Sequence, residues 1–173
     1  CFSLISQNIE GIMRLNSYEV IPTIKKGMGR IAALLISGDE PYLSLSLADQ
    51  VRALYRENGF NERTLLEVDN RFDWGSFTSA TQSLSLFSEK QIIELRFTST
   101  PDRKAQTMLE NYLAAPQEDL FLLISIPLLK SAQQKAKWVN AIDKVGIVSI
   151  LYPPRVHEFP GWIFNEAKRR NLH

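Results

Sequence analysis

The sequence predicts an α/β domain: a doubly wound, five-stranded parallel sheet with helices on both faces. Two patterns predict it. Five short apolar runs each end in turn residues, and the stretches between them carry helical periodicity. Strands that alternate with helices form parallel sheets, because each helix returns the chain to the edge where the next strand starts. The chain has 173 residues, 45% of them hydrophobic, which is enough to bury one such core.

The first strand and helix have clear boundaries. Ile31–Ile36 (IAALLI) is a continuous apolar run closed by Ser37-Gly38, as expected of a strand buried on both faces. The helix Leu43–Glu57 follows and ends at Asn58-Gly59, a pair that stops helices. Its core face is predicted to contain five residues: Leu45, Leu47, Val51, Leu54 and Tyr55.

The second strand is predicted at Thr64–Val68, and a short helix follows it. This helix is predicted from Trp74 to about Ser83. Asp73 is the predicted N-cap residue, because an Asp side chain can accept hydrogen bonds from the free N–H groups of the first helical turn. Lys90–Phe97 (KQIIELRF) is the third strand.

The most apolar strand comes next along the chain. The helix Arg103–Ala114 precedes it, and Pro116 ends that helix. Leu120–Ile126 (LFLLISI) is the fourth strand, and its composition places it at the centre of the sheet. The fourth helix is predicted at Ala132–Val145, where Gly146 stops it.

The fifth strand, Ile147–Tyr152, sets a domain boundary, because Pro153-Pro154 cannot continue a central strand. Residues 13–153 are therefore predicted to form the main domain. Residues 154–173 contain one amphipathic helix, Glu158–Leu172, which is expected to begin a second, truncated domain. Residues 1–12 are expected to be an upstream extension, disordered or non-native, with Met13 as the natural start. A lipid-modified Cys1 is the alternative.

Nucleotide hydrolysis is not expected at the carboxyl ends of the strands, where open parallel sheets bind ligands. Ser37–Tyr42 has one glycine and no lysine, whereas a phosphate loop needs several glycines and a Lys-Ser/Thr pair. Asp39 and Glu40 would repel phosphate. The fourth strand ends at Ile124–Pro127 without a carboxylate to hold magnesium. We predict a turn and a helix start, with no catalytic residue. A nucleotide-binding ATPase with a degenerate phosphate loop is the alternative.

Other catalytic and metal sites lack the residues they need. A phospho-acceptor receiver domain could use Asp39 and Asp69, but Tyr152 stands at the end of the fifth strand, where that chemistry needs a lysine. The sequence has no G-x-S-x-G turn for a serine nucleophile, and His157 is interpreted as a surface or domain-junction histidine. With one cysteine and two histidines in the chain, we expect no metal site and no cofactor.

One segment has an unusual pattern. Gln82–Glu89 (QSLSLFSE) places large apolar residues among small polar ones. Leu84 is in phase with the core face of the preceding helix, whereas Leu86 and Phe87 come where the chain should turn near the surface. The pattern alone favours core residues. The other interpretation is a protruding hydrophobic plug for a partner, since burying Leu or Phe contributes roughly 1.5–3 kcal/mol each.

Four stretches, in this order and spacing, give the chain a resemblance to a known family. They are LLISGDEPYL (Leu34–Leu43), SLFSEKQ (Ser85–Gln91), DLFLLISIPLLKSAQQKAKW (Asp119–Trp138) and FPGWIFNEAKRRNL (Phe159–Leu172). From about Arg14 onward, the chain resembles the delta subunit of the bacterial DNA polymerase III clamp loader. QSLSLF (Gln82–Phe87) is also similar to the short peptide with which many bacterial proteins bind the polymerase sliding clamp.

The resemblance implies a fold, a function and partners. The fold is an AAA+-like core without a working phosphate loop, then a helical lid, begun by residues 154–173, and a collar. The function is to bind the sliding clamp (the beta subunit) and help open the ring during replication, without enzymatic activity. Clamp contacts carry over onto Leu84, Leu86 and Phe87, with Gln82 as a polar contributor. The missing C-terminal domains would contact the gamma/tau and delta prime subunits, in the cytoplasm.

DNA and membranes are weaker candidates as partners. The formal net charge of +1 gives no strong electrostatic footprint for nucleic acid. Four lysines around one helix could touch phosphates in the assembled loader, although a solvated helix face is favoured: Lys130, Lys135, Lys137 and Lys144. We expect DNA contact only indirectly or in the full assembly. No apolar run approaches the roughly 20 residues that cross a bilayer.

Overall fold

The fold is a five-stranded sheet in which all strands run parallel. The structure is a computed structural model that describes residues 14–87 and 89–152, with the backbone alone for residues 83–87. The strands are β1 (Ala33–Gly38), β2 (Glu62–Val68), β3 (Gln91–Phe97), β4 (Leu120–Ile126) and β5 (Ile147–Leu151). They lie in the order β2-β3-β4-β1-β5. The predicted α/β fold is confirmed, and β4 is central as its apolar sequence predicted.

Helices cover both faces of the sheet. They are α1 (Ser17–Gly27), α2 (Pro41–Glu57), α3 (Trp74–Phe87), α4 (Arg103–Ala114) and α5 (Lys137–Val145). One hydrophobic layer holds α3, α4 and α5 against the sheet, and a second layer on the other face holds α1 and α2. The predicted boundary at Pro153-Pro154, the helix Glu158–Leu172 and residues 1–12 lie outside the described residues. Within the described part of the chain, no helix is long and apolar enough to cross a membrane.

Helix α1 was not predicted from the sequence. Pro22 lies inside it, and proline in a helix interior removes a hydrogen bond and disfavours the helix. At the start of α1 the Glu19 carboxylate accepts the Asn16 N–H at 3.2 Å, which offsets part of this cost. Val20 and Ile24, four residues apart, are both fully buried against the sheet. Burial of these two side chains therefore stabilises the helix, although Pro22 disfavours it locally.

The predicted helix Ala132–Val145 is divided in two. A 3-10 turn spans Gln133–Lys135, Ala136 is extended, and α5 begins only at Lys137. In a continuous helix the Gln134 carbonyl would accept the N–H group of residue 138. That carbonyl accepts the Arg14 guanidinium instead, at 2.6 Å. A bond from the distant N-terminal segment thus takes the place of one helical bond.

The predicted core face of α2 is wrong at one residue. Leu47, Val51, Leu54 and Tyr55 are buried, but the Leu45 side chain is 48% exposed. Two residues correspond to about 200° of helical turn, so Leu45 lies on the opposite side of the helix from Leu47.

Gly146 ends α5 where the chain passes close over β1. A Cβ atom at this position would overlap the carbonyl oxygen of Ala33 and lie 2.8 Å from the Ala33 carbonyl carbon. The Gly146 N–H group donates to the Ile142 carbonyl at 2.7 Å, which closes the last turn of α5. Glycine allows this close approach because it has no side chain.

Glu94 forms a buried charged cluster on β3. Its carboxylate has no solvent exposure and accepts bonds from three arginines. Arg52 of α2 reaches both carboxylate oxygens at 2.9 Å. Arg63 of β2 donates to one oxygen at 2.8 and 3.1 Å, and Arg96 donates to the other at 3.1 Å. Asp49 forms a further ion pair with Arg52. Burial lowers the pKa of Arg52, and the adjacent Glu94 opposes that shift.

Arg14 connects the N-terminal segment to β5 and to α5. Arg14 forms an isolated parallel bridge with Val148, beyond the outer edge of β5. Its guanidinium donates to the fully buried carboxylate of Asp143 at 3.0 Å. The second Asp143 oxygen, Oδ1, has no hydrogen-bond partner among the described residues. Burial raises the pKa of Asp143, and Arg14 only partly counteracts the rise.

Replacing Arg14 by alanine is expected to destabilise the fold in a pH-dependent way. Removing one partner of a buried pair costs about 3 kcal/mol at neutral pH. The substitution removes the cation that lowers the pKa of Asp143, so this pKa rises further. A raised carboxyl pKa means that folding favours the protonated form, and stability from this group is lost as pH rises through the folded-state pKa. The loss relative to the parent protein should therefore be largest at pH 7 and shrink on acidification.

Urea unfolding at pH 7 and at pH 5 measures this difference. The control is the same Arg14→Ala change in an Asp143→Asn background, which removes the titrating carboxyl and should remove the pH dependence of the loss. An equal loss at both pH values with aspartate in place would contradict the assignment.

Candidate functional site

The predicted partner-binding segment lies on helix α3, whose first half is firmly anchored. The Asp73 carboxylate accepts the Gly75 N–H at 2.9 Å, as predicted for the N-cap. Trp74 and Phe77 are buried, and their rings contact each other with centroids 5.7 Å apart. Further ring contacts tie this turn to its surroundings through Phe72, Phe97 and Tyr112. Burial raises the pKa of Tyr112 to about 12, so this tyrosine is uncharged at neutral pH. The anchored first half of α3, which contains Trp74 and Phe77, is called the stem below.

The second half of α3 extends further than the sequence predicted. The helix continues to Phe87 instead of ending near Ser83, because no glycine or proline interrupts SLSLF. Gln82 is exposed. Leu84, Leu86 and Phe87 lie in the last two turns of the helix, and their side chains are outside the described part of the structure. Their predicted role therefore stays a prediction.

The position of this helix end is set by the topology. Helix α3 starts after the carboxyl end of β2 and finishes before the amino end of β3. Its last turn thus lies at the amino edge of the sheet. The predicted site residues are consequently at the opposite edge from the one where open parallel sheets bind nucleotides.

At the carboxyl edge of the sheet, side-chain hydrogen bonds join the end of β1 to the loop after β4. The Ser37 hydroxyl donates to the Pro127 carbonyl and accepts the Leu129 N–H group, both at 2.9 Å. The Asp39 carboxylate accepts the Leu128 N–H at 2.8 Å. Glu40 caps α2 by accepting the Tyr42 N–H, and Pro41 is the first helical residue. The predicted turn and helix start at this position are confirmed.

Ser37→Ala is expected to lower the free energy of unfolding by about 2 kcal/mol. Ser37 is fully buried, and its removal leaves the Pro127 carbonyl and the Leu129 N–H without their partner. Ser149→Ala on β5 is the matched control, because Ser149 is equally buried but its hydroxyl has no hydrogen-bond partner among the described residues. Chemical denaturation should find little or no loss for Ser149→Ala. Equal losses for the two variants would contradict the bridging role of Ser37.

The predicted lysine group is only partly brought together. Lys130, Lys135 and Lys137 are exposed near the carboxyl edge, where the loop after β4 leads into α5. Lys144 is exposed at the other end of α5 and is separated from them by the length of that helix. In the described ranges, no group of three or more His, Cys, Asp or Glu residues is arranged to hold a metal ion.

Comparison with known proteins identifies the family. A family model described as "DNA polymerase III, delta subunit" matches residues 34–150. Two curated relatives are the DNA polymerase III subunits delta of Haemophilus influenzae, 25% identical over 152 residues, and of Escherichia coli, 28% identical over 145 residues. These alignments cover 86% and 83% of this chain but 44% and 42% of the relatives. The chain thus spans less than half the length of the curated relatives it matches.

The fold has a match among solved structures. The Bacillus subtilis DNA clamp loader delta protein superposes with a TM-score of 0.64 at 16% sequence identity, covering 89% of this chain and 48% of that one. At this identity the likeness concerns the fold alone. The family itself follows from the sequence, since the family model matches more than half of the chain. The chain belongs to the DNA polymerase III delta subunit family.

Proposed function

We propose that this chain is the clamp-contacting part of a clamp-loader delta subunit, which binds the sliding clamp and helps open the ring for loading onto DNA. Leu84, Leu86 and Phe87 would make the apolar contact, and Gln82 would add a polar one. The observation that carries the proposal is helix α3 itself: its stem is anchored by aromatic contacts, and the helix continues through Phe87 at the amino edge of the sheet.

The helical backbone sets the Cα atom of Leu86 away from the buried residues of α3. Trp74, Phe77 and Thr81 form the buried stripe of α3. At about 100° per residue, the Cα atom of Leu86 lies roughly 150° around the helix from that stripe. It also lies in line with Gln82, four residues earlier, which is exposed. Leu84 lies closer to the buried stripe, so it would contribute at the margin of the contact.

An anchored helix end is a suitable base for a hydrophobic contact. Burying Leu86 and Phe87 in an apolar pocket contributes roughly 1.5–3 kcal/mol each. The serines around them in the sequence would form part of a polar rim, as is typical of binding hot spots. Because the stem is fixed by Trp74 and Phe77, little conformational freedom of the helix is lost on binding.

Ring opening then requires no covalent chemistry in this chain. Binding that favours a distorted clamp subunit weakens one interface of the closed ring and shifts the ring toward the open state. ATP would act through sibling loader subunits, whose binding state governs whether this contact is accessible. No catalytic residue, cofactor or metal is assigned to this chain. The bonds of Ser37 and Asp39 across the carboxyl edge favour this non-enzymatic role over a degenerate nucleotide site.

The domain organisation is part of the same proposal. Residues 13–153 would form the AAA+-like domain, and residues 154–173 the first helix of the lid, with residues 1–12 outside the domain. The protein would work in the cytoplasm, with DNA touched only in the full assembly.

The test is clamp binding by a Leu86→Ala/Phe87→Ala variant, measured by titration calorimetry against the sliding clamp of the same organism. We expect a loss of at least about 2 kcal/mol, which is roughly a thirtyfold weaker affinity. Ser79→Ala, at an exposed position of the same helix, is the control and should bind like the parent protein. Unchanged affinity in a folded variant would refute the site. A large loss of stability would instead support the interpretation of Leu86 and Phe87 as core residues.

A further inference from the structure

The outer edge of β2 (Glu62–Val68) is an unpaired strand edge. β2 is the last strand on its side of the sheet, and none of the described residues forms a bridge to its outer side. Its seven residues pair with β3 in continuous register, so β2 is a regular strand without a bulge, and it contains no proline. Such an edge presents a row of backbone N–H and C=O groups that another strand can pair with.

The residues that turn their backbone groups outward can be identified from one bond. The Thr98 N–H group donates to the Val68 carbonyl at 3.1 Å, so Val68 directs its backbone groups toward β3. These directions alternate along a strand in a parallel sheet. Arg63, Leu65 and Glu67 therefore direct their N–H and C=O groups to the open edge.

The side chains of the same three residues are exposed. They lie on the face of the sheet that carries α1 and α2, and the Leu65 side chain, 39% exposed, is one of the exposed large hydrophobic residues of the described chain. The Arg63 guanidinium is held by Glu94 through two bonds, so it is fixed in place before any partner arrives. A fixed side chain loses less freedom on binding than a mobile one.

The sequence of this edge is self-complementary in charge. Arg63 and Glu67 lie symmetrically on either side of Leu65. We propose that β2 pairs antiparallel with β2 of a second copy of this chain, about a two-fold axis at Leu65. Leu65 then faces Leu65 of the second copy, and Arg63 faces Glu67 of the second copy at two symmetric positions. Opposite charges in directly facing positions stabilise a strand pair, and a two-fold interface requires such self-complementarity.

The backbone geometry agrees with this register. In an antiparallel pair, facing residues that exchange both backbone hydrogen bonds occur at every second position. Centring the pair on Leu65 makes Arg63, Leu65 and Glu67 the residues that exchange bonds, and these are the three whose groups point outward. The resulting sheet has ten strands. The contact is small, so the dimer should be weak and reversible.

Sedimentation velocity of this chain, from about 10 µM to about 1 mM, tests the proposal. We expect a concentration-dependent dimer. Glu67→Arg sets a second positive charge opposite Arg63 at both symmetric positions and should weaken the dimer at least tenfold. Leu65→Pro removes an outward N–H that the sheet does not use, a position where proline is tolerated, and should abolish the dimer.

Glu62→Arg is the matched control. It makes the same change in charge at an exposed residue of the same strand, but in the proposed register Glu62 faces the apolar Val68 of the second copy. It should dimerise like the parent chain, and far-UV circular dichroism should find all variants folded. A parent chain that stays monomeric throughout, equal effects of Glu62→Arg and Glu67→Arg, or a dimer that survives Leu65→Pro in a folded variant would each overturn the proposal. If Leu65→Pro does not fold, the comparison of the two charge reversals still decides it.

Discussion

Replacing Gly146 by alanine is expected to lower the free energy of unfolding by more than about 4 kcal/mol. The added methyl group would overlap the Ala33 carbonyl oxygen and press on the Ala33 carbonyl carbon and nitrogen. These are backbone atoms, which cannot rotate away as the end of a flexible side chain can. Ala33 is the first residue of β1, and the neighbouring Ala32 N–H donates to the Val145 carbonyl at 2.9 Å. Relief of the overlap would therefore separate α5 from the sheet.

Urea denaturation followed by circular dichroism measures the effect. Because small domains are stable by only about 5–15 kcal/mol, the variant should be largely unfolded or unfold at low urea. Gly29→Ala is the control: Gly29 has a positive φ of 90°, but a Cβ atom there would meet nothing within 4 Å. Backbone strain alone should cost Gly29→Ala about 1–2 kcal/mol. A smaller loss for Gly146→Ala than for Gly29→Ala would contradict the steric argument.

Glu94→Gln is the second substitution with a large expected effect, a loss of about 4 kcal/mol. The amide has nearly the shape of the carboxylate, so packing is retained while the negative charge is removed. Three guanidinium groups then remain around a neutral side chain. Arg63 and Arg96 are partly exposed and can turn toward water, whereas the Arg52 side chain is only 10% exposed. The penalty should therefore fall mainly on Arg52.

A double-mutant cycle separates this penalty from other effects. Arg52→Met removes the least exposed of the three charges, and its unbranched side chain can occupy the same space. In the Glu94→Gln/Arg52→Met variant, the unfolding free energy should be higher than the sum of the two single losses predicts, with a coupling of at least about 1 kcal/mol. Simple additivity of the two losses would show that Arg52 does not depend on Glu94.

The parts of the fold that the sequence predicted well are those decided by local patterns. The strand Leu120–Ile126 and the helix Arg103–Ala114 have the predicted boundaries, because a uniformly apolar run and a helical segment with Asp102 at its cap leave little choice. The other strand boundaries differ by at most two residues at either end. The prediction of Leu45 in the core face is wrong because Leu45 lies about 200° around the helix from the buried Leu47, a difference that the spacing of the two residues already gives.

The features that the sequence did not predict depend on distant residues. Helix α1 needs burial of Val20 and Ile24 to overcome Pro22, and the division of Ala132–Val145 needs Arg14, which is 120 residues from Gln134. The cluster around Glu94 joins two strands and a helix. A glutamate between Ile93 and Leu95 in a strand was a usable signal, since a buried charge needs partners, but nothing in the local sequence identified them.

The candidate site was predicted by resemblance rather than by pattern. Pattern alone favoured a core role for Leu86 and Phe87, because large apolar side chains are usually buried. The absence of glycine and proline from SLSLF was a usable signal that α3 continues to Phe87, which changes the site from a turn after a helix into the end of the helix itself. The positions of Leu84, Leu86 and Phe87 on that helix follow from its backbone.

The length of α3 has a practical consequence. Fourteen residues correspond to about 21 Å from end to end. The Phe87 end of α3, which is proposed to contact the clamp, is therefore far from the Asp73 end. A fluorescent dye attached at Arg71, which is exposed just before that end, would follow the rotational tumbling of the whole domain. Its anisotropy would rise when a ring-sized partner attaches, while the dye itself stays well away from the attachment point.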